Sequence, residues 1–235
     1  MKPLVLRAVG KIYGGRRALH AVSARFEPGR VAAVLGPNGA GKTTMLGILS
    51  TLVSPSSGAV HWGDEPLARG SALRAQIGYV GHDPGLYGDL TARENLRFFC
   101  ALHGCDATPG RVDRLLTRVG LGDVPADATA RTFSRGMQQR LALARALAHD
   151  PALLLFDEPS AALDPAGAAW LQAELAAERA AGRMVMLVTH DLEAAAAIAD
   201  QVVILRRGRV VADETRPGGF AAESLRGLYR EATGG

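Results

Sequence analysis

The sequence predicts an α/β fold: a mostly parallel sheet covered by helices, preceded by an N-terminal antiparallel β subdomain and interrupted by an inserted helical subdomain. Three observations predict it. The apolar runs Val31-Ala32-Ala33-Val34-Leu35, Ala152-Leu153-Leu154-Leu155-Phe156 and Met184-Val185-Met186-Leu187-Val188 are continuous rather than alternating, as suits strands buried on both faces. Segments of helical periodicity separate them, and that alternation implies crossovers between parallel strands. Residues 84–133 carry no strand signal and are instead helical in pattern.

In chain order, residues 4–9 and 20–26 have the character of short strands, with Tyr13-Gly14-Gly15 turning between them. The run from Val31 leads into a glycine-rich loop, and Thr44-Met45-Leu46-Gly47-Ile48-Leu49 continues at helical spacing. Residues 58–63 and 76–80 add turn-bounded strands, the second ending at Gly81-His82-Asp83-Pro84-Gly85. Thr91 and Glu94 form a capping box before Leu96, Phe98, Phe99 and Leu102. A second helix covers residues 111–119 and closes at Gly120. Ser134 starts a long helix with Met137, Leu141, Ala144 and Ala148 on one face. Asp164 and Pro165 suit the N-cap and first position of a helix that Gly182 closes. A further helix follows Asp191, and Arg207-Gly208 joins a strand at 202–205 to Val210-Val211 as a hairpin. From Phe220 the tail is weakly helical and ends in an expendable Thr-Gly-Gly.

At 235 residues, 48% of them apolar, the chain suffices for one domain with a full core. The expected division is a core of residues 1–83 and 134–213, a helical subdomain of 84–133 and a tail of 214–235. No apolar run approaches the ~18 residues that span a bilayer, and the first residues lack the apolar centre of a secretory signal. A cytoplasmic protein is expected, with any membrane spanning left to a partner. Cys100 and Cys105 flank His103, too few ligands for a tetrahedral metal site, so two reduced thiols at a helix end are expected. The net charge is +4, but no basic run exceeds the pairs Arg16-Arg17 and Arg206-Arg207. A mixed solvated surface follows, and nucleic acid is not an expected partner.

The glycine-rich loop, Gly36-Pro37-Asn38-Gly39-Ala40-Gly41-Lys42-Thr43, fits the phosphate-loop pattern G-x-x-x-x-G-K-[ST] at every fixed position, between a strand and a helix. Unpaired N–H groups at a helix N-terminus attract an anion, and the glycines let the backbone wrap closely around it. Gly36, Pro37, Asn38, Gly39, Ala40, Gly41, Lys42, Thr43 and Thr44 are therefore the expected cradle of a nucleotide's phosphates. Lys42 supplies a charge for the outer phosphates and Thr43 a hydroxyl for Mg²⁺. Asp157 and Glu158 end the 152–156 strand, where open α/β sheets place their ligands. Asp157 suits Mg²⁺, and Glu158 suits the removal of a proton from an attacking water. His190 has the same station on the next strand; it either meets the γ-phosphate or is a polar residue before the Asp191 cap. Tyr13 either stacks on a base or packs on the sheet.

The order of these pieces carries a resemblance. The phosphate loop, Ser134-Arg135-Gly136-Met137-Gln138-Gln139-Arg140, Leu154-Leu155-Phe156-Asp157-Glu158-Pro159, Ser160-Ala161-Ala162-Leu163-Asp164 and Thr189-His190-Asp191 resemble the ATP-binding subunits of ABC transporters, over nearly the whole chain. The resemblance implies a P-loop NTPase core and an ATPase motor, using ATP and Mg²⁺, peripheral on the cytoplasmic face of the cell membrane. It implies a head-to-tail dimer, a homodimer or a pair with a second ATPase subunit, holding two ATP molecules. Each would lie between one chain's phosphate loop and the Ser134–Gly136 turn of the other. By the same resemblance Tyr13 stacks on adenine and Asp164 lies at the dimer interface. Glu158 is then the general base, Lys42 a catalytic phosphate contact and His190 the γ-phosphate contact.

His82 stands where most members have a glutamine that senses the metal and the transport domain, so it is the third expected metal-side residue beside Thr43 and Asp157. Arg135 and Met137 replace the commonest Gly and Gln, a variant similar to export-type members. Gly81-His82 and the stretch from Leu90 to Phe98 resemble, more narrowly, the haem-exporter ATPases of cytochrome c maturation. The membrane-spanning partner is expected to dock near residues 82–100. Two other classes compete. Soluble ABC-type ATPases of nucleic acid or ribosomes carry paired ATPase domains or long coiled coils, and neither occurs here. A P-loop kinase would leave Ser134, Gly136 and the Asp164 loop idle.

Overall fold

A computed structural model describes residues 2–68, 72–216 and 218–234. Two sheets are present. The first is four-stranded and antiparallel, in the order β2-β1-β4-β5, from β1 (Leu4–Tyr13), β2 (Arg16–Phe26), β4 (Ser57–Trp62) and β5 (Glu65–Pro66). The second has the order β10-β9-β3-β8-β7-β6. It comprises β3 (Val31–Leu35), β6 (Ile77–Val80), β7 (Leu153–Asp157), β8 (Met184–Val188), β9 (Gln201–Arg206) and β10 (Arg209–Thr215). All its neighbours run parallel except β9 and β10, the expected hairpin.

Alternation along the central strands divides the core. Ala32 and Val34 of β3 face α1 (Lys42–Leu49) and the antiparallel sheet, where Phe26, Leu46 and Leu49 are buried. Val31, Ala33 and Leu35 face the opposite layer, as the two-residue strand period requires. That layer comprises α4 (Arg135–Leu147), α5 (Pro165–Ala180), α6 (Leu192–Ile198) and α7 (Ala222–Thr233). Because β3, β7 and β8 are covered on both sides, every one of their residues is buried, which is why their sequences do not alternate.

The helical insertion consists of α2 (Ala92–His103), α3 (Pro109–Arg118) and a 3₁₀ turn over Ala130–Thr132. Its capping box is present in full: the Thr91 hydroxyl accepts from the Glu94 N–H while the Glu94 carboxylate accepts from the Thr91 N–H. Leu96, Val112 and Leu116 pack with Leu141, Ala144 and Ala148 of the α4 segment. The other face of α4 buries Ala142, Leu143 and Leu147 against the sheet. One helix therefore joins the insertion to the core.

Several boundaries differ from expectation. The first two strands reach Tyr13 and Arg16, because antiparallel pairing runs to the Gly14-Gly15 turn. Gln76 ends a 3₁₀ turn rather than opening β6. The second insertion helix starts at Pro109, whose missing N–H costs nothing in a first turn. The tail is the largest correction. Its weak helical pattern forms the twelve-residue α7, with Leu225 fully buried beside Phe220, and Gly234 caps it. Thr233 and Gly234 thus finish a packed helix; Gly235 lies outside the described residues.

Candidate nucleotide site

Parallel strands bring all their C-terminal ends to one edge of a sheet. Here that edge carries, in spatial order, the phosphate loop after β3, Thr189-His190 after β8, Asp157-Glu158 at the end of β7 and Gly81-His82 after β6. Residues scattered over 150 positions of sequence become neighbours because their strands are neighbours. A cleft of about 860 Å³ opens there, and its lining includes Tyr13, Asn38 through Thr44, His82, Asp157 and Glu158.

The loop's glycines are required by position. Gly36 has φ +146°, and a Cβ on it would lie 2.1 Å from the Leu205 carbonyl oxygen of β9. Gly41 has φ +106°, and a Cβ there would meet the Ala18 carbonyl oxygen at 2.7 Å. Gly39, at φ +76°, faces open space, where a bound anion finds room. The Lys42 ammonium donates to the Gly36 and Pro37 carbonyl oxygens at 2.7 and 3.2 Å. Burial pulls its pKa down, against the opposing pull of Glu158 and Asp157.

Asp157 is almost wholly buried. Burial raises its pKa; the Thr43 hydroxyl bonded to it, and the charges of His82 and Lys42, act the other way, while Glu158 adds to the rise. A buried carboxylate and a hydroxyl on one wall, both hard oxygen donors, fit a divalent cation such as Mg²⁺. Glu158 stands at φ +52°, a left-handed conformation costly for a non-glycine residue. Its N–H donates to the Val188 carbonyl oxygen at 2.9 Å, and its carboxylate oxygen lies 2.8 Å from Nδ1 of His190. That carboxylate is thus aimed by two strands at once.

Ser134, Gly136 and Asp164 do not line this cleft. They gather elsewhere. The Ser134 hydroxyl caps α4 by accepting from the Met137 N–H at 3.2 Å, and Asp164 caps α5 through the Gly167 N–H at 2.8 Å. A Cβ on Gly136 would approach the Ala162 carbonyl oxygen at 3.1 Å, so the tip of α4 packs against the 160–164 loop.

The ABC transporter family model matches residues 19–161. The chain belongs to that family. As an ABC ATPase it is a motor subunit that binds and hydrolyses ATP in the service of transport. It is 39% identical over 208 residues to a daunorubicin resistance ATP-binding protein, DrrA3, of Streptomyces coeruleorubidus, covering 87% of this chain and 66% of that one. It is 40% identical over 190 residues to the cytochrome c biogenesis ATP-binding export protein CcmA of Cupriavidus necator, covering 80% and 83%. Among solved structures, the dimeric post-hydrolysis state of the cassette MJ0796 bound to ADP and phosphate superposes with a TM-score of 0.84 at 29% identity, over 92% of this chain and 99% of that one.

For this ABC ATPase the cleft also holds residues that sequence reasoning missed. Arg16, Arg17, His20 and Arg207 line it beside Tyr13. Arg207 is remote from the loop in sequence. What brings it there is the pairing of β9 with β3, for which the local residues carry no signal.

Proposed function

We propose that this ABC ATPase works as a dimer in which each chain completes the other's ATP site, driving export through a separate membrane subunit. One observation carries the dimer: the cleft gathers the phosphate loop, Asp157 and Glu158, while the Ser134 helix tip is not among the residues that line it. A second copy, turned head to tail, supplies a helix N-terminus to the outer phosphate.

In this reading Tyr13, whose ring is half-exposed, stacks on adenine. The loop's N–H groups cradle the phosphates, and Lys42 exchanges its carbonyl partners for phosphate oxygens. Thr43 and Asp157, with His82 on the same wall, would hold Mg²⁺, which neutralises charge on the transferred phosphoryl group. Glu158 takes the proton of the attacking water, held in place by its bond to His190, whose other ring nitrogen is available to the γ-phosphate.

The docking surface for the membrane subunit follows residues 82–100. Tyr87, Phe98 and Phe99 pack edge to face, with centroids 4.8 and 5.4 Å apart in successive pairs. Of these, Phe99 lines a cleft of about 610 Å³ together with Tyr79, Leu102 and Arg145. Among the described residues no helix is long and apolar enough to cross a membrane; the peripheral place on the cytoplasmic face is carried by membership of the ABC transporter family. Export rests on the Arg135 and Met137 variant of the α4 tip and on the relative named as an export protein, CcmA; a phosphonates import ATP-binding protein of Anaeromyxobacter dehalogenans is also 39% identical, the match covering 47% of its length. Haem as cargo is a narrower reading, favoured by Gly81-His82 and the CcmA relative.

Glu158→Gln tests the mechanism. ATP binding should persist, turnover should fall about 100-fold or more, and ATP should trap a dimer visible by size-exclusion chromatography. A variant that stays monomeric with ATP and hydrolyses normally refutes the reading. For the cargo, the membrane subunit copurified in detergent should carry a haem absorption band; its absence removes haem and leaves export standing.

A further inference from the structure

The hairpin joining β9 to β10 has a two-residue turn, Arg207-Gly208, between paired Arg206 and Arg209. Both turn residues are left-handed, at φ +49° and +75°. Such mirror-image turns favour Asn-Gly, because a short polar side chain tolerates this conformation and a long one gains nothing from it. Six non-glycine described residues have positive φ, and two of them, Glu158 and Arg207, line the nucleotide cleft. Strain kept at a cleft asks for a reason in the cleft.

The turn is fastened to the phosphate loop. The Gly208 N–H donates to the Ala40 carbonyl oxygen at 2.9 Å, and the Gly208 carbonyl accepts from the His20 N–H at 2.7 Å. No Cβ fits at Gly208, which would come within 2.5 Å of the Ala18 carbonyl oxygen. This junction sets the Arg207-Gly208 turn beside Ala40 and Gly41 of the loop, and Arg207 lines the cleft. Arg16 and Arg17 reach the same cleft from the start of β2. Among the described residues none of the three forms an ion pair or side-chain hydrogen bond. Three guanidinium groups without a bonded carboxylate line one cleft, one of them, Arg207, on a left-handed backbone; they suit an anion, and the planar fork of arginine matches phosphate oxygens.

We propose that Arg207, supported by Arg16 and Arg17, grips the phosphate chain of the nucleotide from the side opposite Asp157 and Glu158, and so sets this ATPase's preference for highly charged nucleotides. The inference rests on the nucleotide site described above and adds a contact outside the phosphate-loop motif. It makes affinity depend on the number of phosphates and on ionic strength.

Arg207→Asn is the informative variant, because asparagine suits the turn and keeps the fold. Equilibrium binding of adenosine, ADP and ATP is measured at about 50 and 300 mM salt, with thermal unfolding alongside. The variant should melt at or above the wild-type temperature and bind ATP and ADP about tenfold more weakly, with a shallower salt dependence and unaltered adenosine binding. Arg209→Asn, on the same hairpin but outside the cleft, should change none of these. Undiminished ATP affinity in Arg207→Asn overturns the inference, as does an equal loss for adenosine. Lys42→Ala separates the two levels: if it abolishes ATP binding while Arg207→Asn does not, the nucleotide site stands and the arginine grip falls. If neither variant weakens binding, the site itself is misplaced.

Discussion

Substituting alanine at Gly36 and at Gly39 should have opposite consequences, although both lie in one loop. At Gly36 the new Cβ would sit 2.1 Å from the Leu205 carbonyl oxygen and 3.1 Å from its carbon. Those are backbone atoms of a buried strand and cannot swing aside, so overpacking of about 1–3 kcal/mol applies. The φ of +146° adds roughly 1–3 kcal/mol of strain. A total near 4 kcal/mol lowers the melting temperature by about 8–16 °C for a chain this size. Gly39 has φ +76° but open space where its Cβ would go, so only about 1 kcal/mol of strain remains, a fall of roughly 2–4 °C. That open space is where the phosphates are expected. Gly39→Ala should therefore keep its fold and lose nucleotide, whereas Gly36→Ala should chiefly lose stability. Differential scanning calorimetry with and without ATP reads both effects, since bound ligand raises the melting temperature only where it still binds. Equal melting shifts for the two variants, or full ATP stabilisation of Gly39→Ala, would refute this reasoning.

Other consequences are open to direct measurement. His149 is stacked on His103, with ring centroids 3.8 Å apart, and burial pushes its pKa down to about 4. Its contribution to stability is complete above pH 6.5 and is lost as pH falls from there towards 4, because the unfolded chain takes up the proton first; a His149→Gln chain should show a flatter acid limb in urea titrations. Arg118 of α3 holds Glu174 and Glu178 of α5, and Glu178 is buried. Arg118→Met leaves Glu178 with Arg183 alone, so a loss of about 1–2 kcal/mol is expected in denaturant unfolding. Cys100 is fully buried, with its thiol pushed up to about 12 by that burial and by Cys105. Iodoacetamide at pH 8 should label Cys105 and spare Cys100 in the folded protein, as peptide mass spectrometry would reveal.

The central strands and the ends of most helices were legible because each rests on local chemistry: unbroken apolar runs for β3, β7 and β8, and Thr91, Ser134, Asp164 and Asp191 as caps. The phosphate loop and the Asp157-Glu158 pair are expected at one sheet edge from their motif and their station at strand ends, and one cleft gathers them there. What stayed hidden depends on distant partners. Helix α7 is held by Leu225 and Phe220 against the sheet layer, and its own sequence is too polar to announce that. The insertion boundary near Ser134 was drawn from periodicity, yet α4 packs against both halves, since its two faces serve two cores. Arg207 looked like a plain turn residue. Only the strand order β9-β3-β8 puts that turn beside the phosphate loop.

The loop that follows Glu158 leads straight into the tip of α4. Gln139, on the first turns of that helix, donates to the Pro159 carbonyl oxygen at 3.2 Å in a buried contact, and Ala162 presses on Gly136. Slack between these two segments is therefore minimal. A shift of the backbone at Glu158 would be felt within a few residues at the serine-capped end of α4, and from there along the helix into the insertion. One helix thus touches the loop after Glu158 at its tip and packs on both the sheet and the insertion along its length.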